Sequence, residues 1–198
     1  MNFKLLTAAV IASAFLTTGY AASHEDMAMD KKMEAKKMGM EKMAEMPFGG
    51  MEDVTFSKNL WKKLEAAGLN STPSNLYVGG PPHGKVREVL EGMIDGKRVI
   101  VKRNYGGADV SIENVSKDRA KYLKAVTVMM KMPKGYDAKN NDWFWAKYKA
   151  NGTLHKIPAG TEIAGKFPGC IACHNSASGG DLVFKHNKEA NADVVYVK

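Results

Sequence analysis

Cys170 and Cys173 are the only cysteines in a chain of 198 residues, and His174 follows them without a gap. Three fates are open to such a pair. A redox disulfide normally sits at a helix start after a strand, in a βαβ setting, and no such setting is legible around residues 169–184. A structural zinc site closes four ligands. Only three cluster here, and no spacing argues for His83, His155 or His186 as a fourth. A haem c needs nothing more than what is present. Two thiols form thioethers to the porphyrin vinyl groups, and the next histidine lies under the ring and ligates the iron. The pattern therefore points to haem c attached near the C-terminus, with Cys170, Cys173 and His174 as cofactor-binding residues and His174 as the metal ligand. Disulfide and zinc stand as the rivals. A haem is large and flat, so the fold must wall a sizeable apolar pocket around these residues.

The N-terminus bears on the same choice, because compartment decides what two cysteines become. Lys4 and the amino terminus precede the apolar run Leu5–Leu16, and small residues follow. That layout predicts a secretory signal peptide over residues 1–21, cleaved near Ala21. The run is too short for a membrane span, and no other run is apolar enough. Export places the protein in the periplasm of a bacterium. The formal net charge is +8. Nucleic acid is a poor partner outside the cytoplasm and no nucleic-acid motif is present. The scattered lysines read as a solvated basic surface, or as a face for an acidic redox partner.

Eight of the thirteen methionines fall in residues 24–51, among Lys, Glu, Asp and Ala. Residues 22–51 read as a flexible arm with transient helix in Asp30–Glu45, since the segment has little apolar surface to bury. Thioethers suit Cu(I), but Met is also an ordinary helix former. Residues 52–198 form the haem-binding domain. Ser57 is expected to cap a helix that stops at Gly68. Residues 77–85 read as a Gly/Pro-rich loop. Val86, Val89, Leu90, Met93 and Ile94 follow helical spacing up to Gly96. Residues 98–105, 122–132 and 143–149 alternate as strands, the last turning back through Asn151-Gly152. Met93, Met129, Met130 and Met132 read as core. Short turns between strands predict an α+β fold, mainly an antiparallel sheet with flanking helices.

A single haem stores one electron, and its role follows from the sixth coordination position. A sixth His or Met ligand makes an electron-transfer cytochrome, and an open position admits small ligands. No residue stands in an obvious sixth-ligand motif. His83, set between Pro82 and Gly84, and Glu162 are the candidate proton-handling catalytic residues. Asp181, seven residues after His174, is a candidate for orienting a loop beside the haem.

Five segments carry a family resemblance: PPHG (81–84), VIVKRNY (99–105), AVTVMMKMPKGYD (125–137), DWFWAKYKANG (142–152) and CIACHNSASGGDLVF (170–184). In this order they resemble the cytochrome P-460 family, which includes the cytochromes c′-beta. The resemblance implies a mostly antiparallel sheet, a homodimer and a five-coordinate haem with His174 as proximal ligand. Cytochromes P-460 carry a lysine bonded to the porphyrin, which Lys102 matches. They oxidise hydroxylamine and pass electrons to a redox partner cytochrome. Cytochromes c′-beta lack the cross-link and bind diatomic gases such as nitric oxide without turnover. Read on its own, Lys102 sits between apolar neighbours, where an ammonium must be paired, neutral, modified or extended to water.

Overall fold

The computed structural model describes residues 24–44, 46–184 and 195–196; the signal-peptide expectation, residues 1–21, and His186 lie outside them. The chain divides into two units, Met1–Met38 and Gly39–Lys198. Helix α1 spans His24–Ala44. It is longer and more regular than the transient helix expected over Asp30–Glu45, because Met, Lys, Glu and Ala are all strong helix formers. Met27, Met29, Met33 and Met38 are exposed on it. No helix among the described residues is long and apolar enough to cross a membrane.

Helix α2 (Met51–Ala66) lies in the second unit, with Gly50 at its N-cap and Glu52 and Asp53 in its first turn, where the helix dipole favours carboxylates. It begins before Ser57, which was expected to cap it. Ser57 is instead buried within the helix, and its carbonyl accepts the Tyr148 hydroxyl at 2.9 Å. Gly68, in the left-handed conformation, follows the helix end as expected.

Strands β1 (Tyr77–Val78), β2 (Val86–Ile94), β3 (Lys97–Tyr105), β4 (Leu123–Lys131), β5 (Trp143–Tyr148) and β6 (Ala164–Gly165) pair antiparallel in chain order. Strand β7 (Val195–Tyr196) adds in parallel to β2 at Leu90 and Glu91, beyond the stretch that β1 covers. Short helices α3 (Ile112–Lys117) and α4 (Arg119–Tyr122) link β3 to β4, each capped by a side chain, Ser111 and Asp118. The fold is α+β, with a mainly antiparallel sheet. The helix expected over residues 86–94 is a strand. Both faces of β2 are covered, so its apolar residues do not alternate, and Asp95 and Gly96, both at positive φ, turn it directly into β3. Met93, expected in the core, is exposed.

The sheet separates two apolar layers. On one face Leu90, Val99, Val101, Val128, Phe144 and Tyr148 pack with Leu60 and Leu64 of α2. On the other, Val89, Ile100, Met129, Trp143 and Trp145 pack with Leu182 and Val183 and with half-buried Cys170 and Ile171. The alternation read in β3 and β5 is thus realised, and it sends Ile100 and Trp145 toward the cysteine segment.

Glu88 is fully buried in β2. It accepts the Tyr105 hydroxyl and, at 2.8 Å, the Ser74 amide. Arg103 Nε lies 2.9 Å away, an ion contact without hydrogen-bond alignment. Removing one member of a buried pair strands the other's charge. Glu88→Ala is expected to cost about 3 kcal/mol of unfolding free energy in urea titration, with little change in a surface-pair variant such as Lys63→Ala.

Candidate functional site

Helix α5 (Pro168–His174) starts with proline at a position where the missing N–H costs nothing. Positions i, i+3 and i+4 share one side of a helix, so Cys170, Cys173 and His174 are presented together. Cys170 is half-buried, Cys173 is exposed, and both thiols are free. Burial pushes the Cys170 thiol up to about 11. That is opposite to the depressed thiol pKa on which dithiol oxidoreductases depend.

His174 is buried. Its Nδ1 lies 2.6 Å from the Leu182 carbonyl oxygen. A carbonyl only accepts, so Nδ1 carries the proton and Nε2 keeps its lone pair. Burial lowers the imidazole's pKa, and nearby Lys102 adds to this against the Leu182 bond. The ring is therefore neutral at pH 7, as a metal ligand must be. It is flanked edge-on by Trp145 at 4.7 Å and Phe184 at 5.2 Å between centroids.

These side chains border a narrow pocket of about 20 Å³ between the sheet and α5. Ile100, Thr127, Met129 and Trp145 line it from the strands, Cys170 and His174 from α5, and Val183 and Phe184 from the segment after it. His83 enters from the loop before β2, its ring centroid 6.4 Å from that of His174 and nearly perpendicular to it. Burial first, then the positive charges of Lys102 and Arg87, pushes the His83 imidazole down to about 3.

Lys102 lines the same pocket and is only 6% exposed. Burial, and secondarily Arg87, brings its amine down to about 8. Among the described residues its ammonium has no ion-pair partner. The Trp145 indole N–H is likewise buried without an acceptor.

The residues fit a haem. A histidine with a free Nε2, the Cys170 thiol, aromatic and apolar walls, and an unmatched indole donor converge on one pocket, while Cys173, on the same helix, is exposed and does not line it. Among the described residues, no three His, Cys, Asp or Glu side chains are grouped so as to hold a metal ion by themselves. His155 sits elsewhere, its Nε2 3.4 Å from the Lys124 carbonyl oxygen.

Of the candidates from sequence, His83, Lys102, Cys170 and His174 meet in the pocket. Glu162 does not line it; it pairs with Lys156 across a separate bridge. Sequence reading passed over Thr127, Phe184 and the Leu182 carbonyl. Thr127 is paired directly with Lys102 in the sheet register. Strand alternation would have placed the two together.

A family model described as Cytochrome P460 matches residues 86–185. No curated protein and no solved structure matches the chain.

Proposed function

The chain belongs to the cytochrome P460 family, and on that premise we propose that it is an exported, periplasmic mono-haem cytochrome that oxidises hydroxylamine. Cys170 and Cys173 would hold the haem as thioethers and His174 Nε2 would ligate its iron. Bound there, the haem would supply an iron able to exchange single electrons and to take up a small ligand. The observation that carries this reading is Lys102. Its amine is buried in the same pocket as Cys170 and His174, and has no ion-pair partner among the described residues. In this family's hydroxylamine-oxidising members the matching lysine is bonded to the porphyrin, which removes the cost of burying an ammonium.

Hydroxylamine is small and neutral at pH 7, and it offers N–H and O–H donors. His83, held neutral, accepts a hydrogen bond from such a donor and orients it. With its pKa near 3 the ring is a weak base, so it passes protons on rather than storing them. The electrons leave through a redox partner cytochrome, and the basic net charge of +8 favours an acidic docking face on it. Residues 1–21 act as the cleaved signal, and the protein works as a homodimer.

Steady-state turnover of hydroxylamine with a c-type cytochrome as electron acceptor tests this reading. Wild type is expected to turn over, and His83→Ala to lose about tenfold in kcat with its ferrous spectrum unchanged. The apolar walls, Ile100, Met129, Val183 and Phe184, favour one second reading, capture of nitric oxide without turnover. Tight binding of nitric oxide together with no hydroxylamine oxidation would establish that reading instead. A low-spin six-coordinate spectrum would replace both with simple electron transfer.

A further inference from the structure

The carbonyl that holds His174 belongs to Leu182, a residue in the left-handed backbone conformation at φ +58°. A leucine does not adopt that conformation without constraint. The constraint is visible next to it. The Asp181 carboxylate receives Arg98 Nη1 at 2.7 Å on one oxygen and Lys131 Nζ at 3.2 Å on the other. Arg98 is itself tied to Glu91 of β2. The main chain is held as well: the Trp143 indole donates to the Asp181 carbonyl at 2.9 Å, and Asn141 donates to the Gly180 carbonyl at 2.6 Å. Both cations also lie over the Trp143 ring, Lys131 at 4.4 Å and Arg98 at 5.7 Å from its centroid. The result is a fixed path from three sheet strands, through Asp181 and Leu182, to the imidazole of His174.

We propose that Asp181 is a positioning residue for the iron ligand: anchored by Arg98 and Lys131, it holds Leu182 so that its carbonyl takes the His174 Nδ1 proton and aims Nε2 into the pocket. The inference rests on the reading of His174 as the haem ligand. A hydrogen bond on the far nitrogen of a ligating imidazole fixes the ring and makes it a stronger donor to the metal. A stronger donor stabilises the oxidised iron. Weakening that bond therefore raises the reduction potential and weakens the iron–histidine bond. Loss of fold stability alone does not predict either change with this sign.

The test uses the mature haem-loaded protein. Asp181→Ala removes the anion, and Arg98→Met combined with Lys131→Met removes the cations. The readouts are the reduction potential and the iron–histidine stretching band of the ferrous form by resonance Raman. Both variants are expected to show a higher potential and a lower band frequency than wild type. Asp181→Glu should recover part of each shift, and Lys63→Ala, at an unconnected surface ion pair, should move neither. The inference is overturned if both variants match wild type while His174→Ala abolishes the band. If His174→Ala leaves band and potential unchanged, the ligand assignment itself fails, and this inference with it.

Discussion

Alanine at both Cys170 and Cys173, in a Lys102→Met background that leaves no other side chain bonded to the porphyrin, is expected to abolish covalent haem. After denaturing electrophoresis, wild type exported from a host that matures c-type cytochromes should stain for haem and the triple variant should not. The expectation is all-or-none because these are the only thiols in the chain. The single variants should separate the two positions. Cys170 is half-buried and lines the pocket, whereas Cys173 is exposed and one helical turn away. Either remaining thioether keeps the haem on the chain, so both single variants should still stain, with altered visible spectra. The pattern also separates haem c from its rivals. A zinc site or a redox disulfide predicts no stain in wild type. Absence of haem in wild type after competent maturation would return the pair to those readings, although the raised pKa of Cys170 already disfavours thiolate chemistry there.

The site was legible in the sequence where one residue type at one spacing carries the chemistry. Cys170, Cys173 and His174 needed only helical geometry to come together. Lys102 was legible because strand alternation sends it to the same face as Ile100, and that face meets α5. Glu162 was offered on residue type alone, and lies away from the pocket. The Leu182 carbonyl is a backbone group that any residue provides, so nothing in the sequence marks it. Only the fold reveals that it meets His174.

The largest misreading of the fold has a physical cause of the same kind. Val86, Val89, Leu90, Met93 and Ile94 recur at helical intervals, yet they lie on a strand. Helical and strand periods are distinguishable when one face is wet. Here α2 and the α5 layer cover both faces of the sheet, and Glu88 is buried between them by Tyr105, Ser74 and Arg103. The alternation that identifies a strand is then erased. The Asp95-Gly96 pair was the available corrective, because two adjacent residues at positive φ are what a tight hairpin requires. Ser57 misled for a related reason. Serine is a good cap, but here it faces the core side of α2 and its neighbours Val54 and Leu60 extend the buried stripe on both sides.

Lys102→Met is expected to change the protein's spectrum more than any other single substitution on the sheet. If the amine is bonded to the porphyrin, the ferrous Soret band of wild type should lie far to the red. Methionine, similar in length but unable to form that bond, should return it to an ordinary high-spin haem c position. A second measurement probes the same bond independently. A bonded nitrogen no longer titrates as an alkylammonium, so wild type and Lys102→Met should show parallel unfolding free energies between pH 7 and 10. A free Lys102 behaves differently. Its pKa in the folded protein, about 8, lies below the ordinary 10.5. Between those values the unfolded chain binds more protons than the folded one, so stability rises with pH. The gain approaches ~3 kcal/mol when the whole interval is crossed, at about 1.4 kcal/mol per pKa unit. At neutral pH the free ammonium is about nine-tenths charged and carries that burial cost. Lys102→Met would then be the more stable protein at pH 7, and its advantage would shrink toward pH 10. A red-shifted band with parallel pH profiles identifies the cross-link. An ordinary band with converging profiles identifies a buried free amine, and moves the function from hydroxylamine oxidation to gas binding.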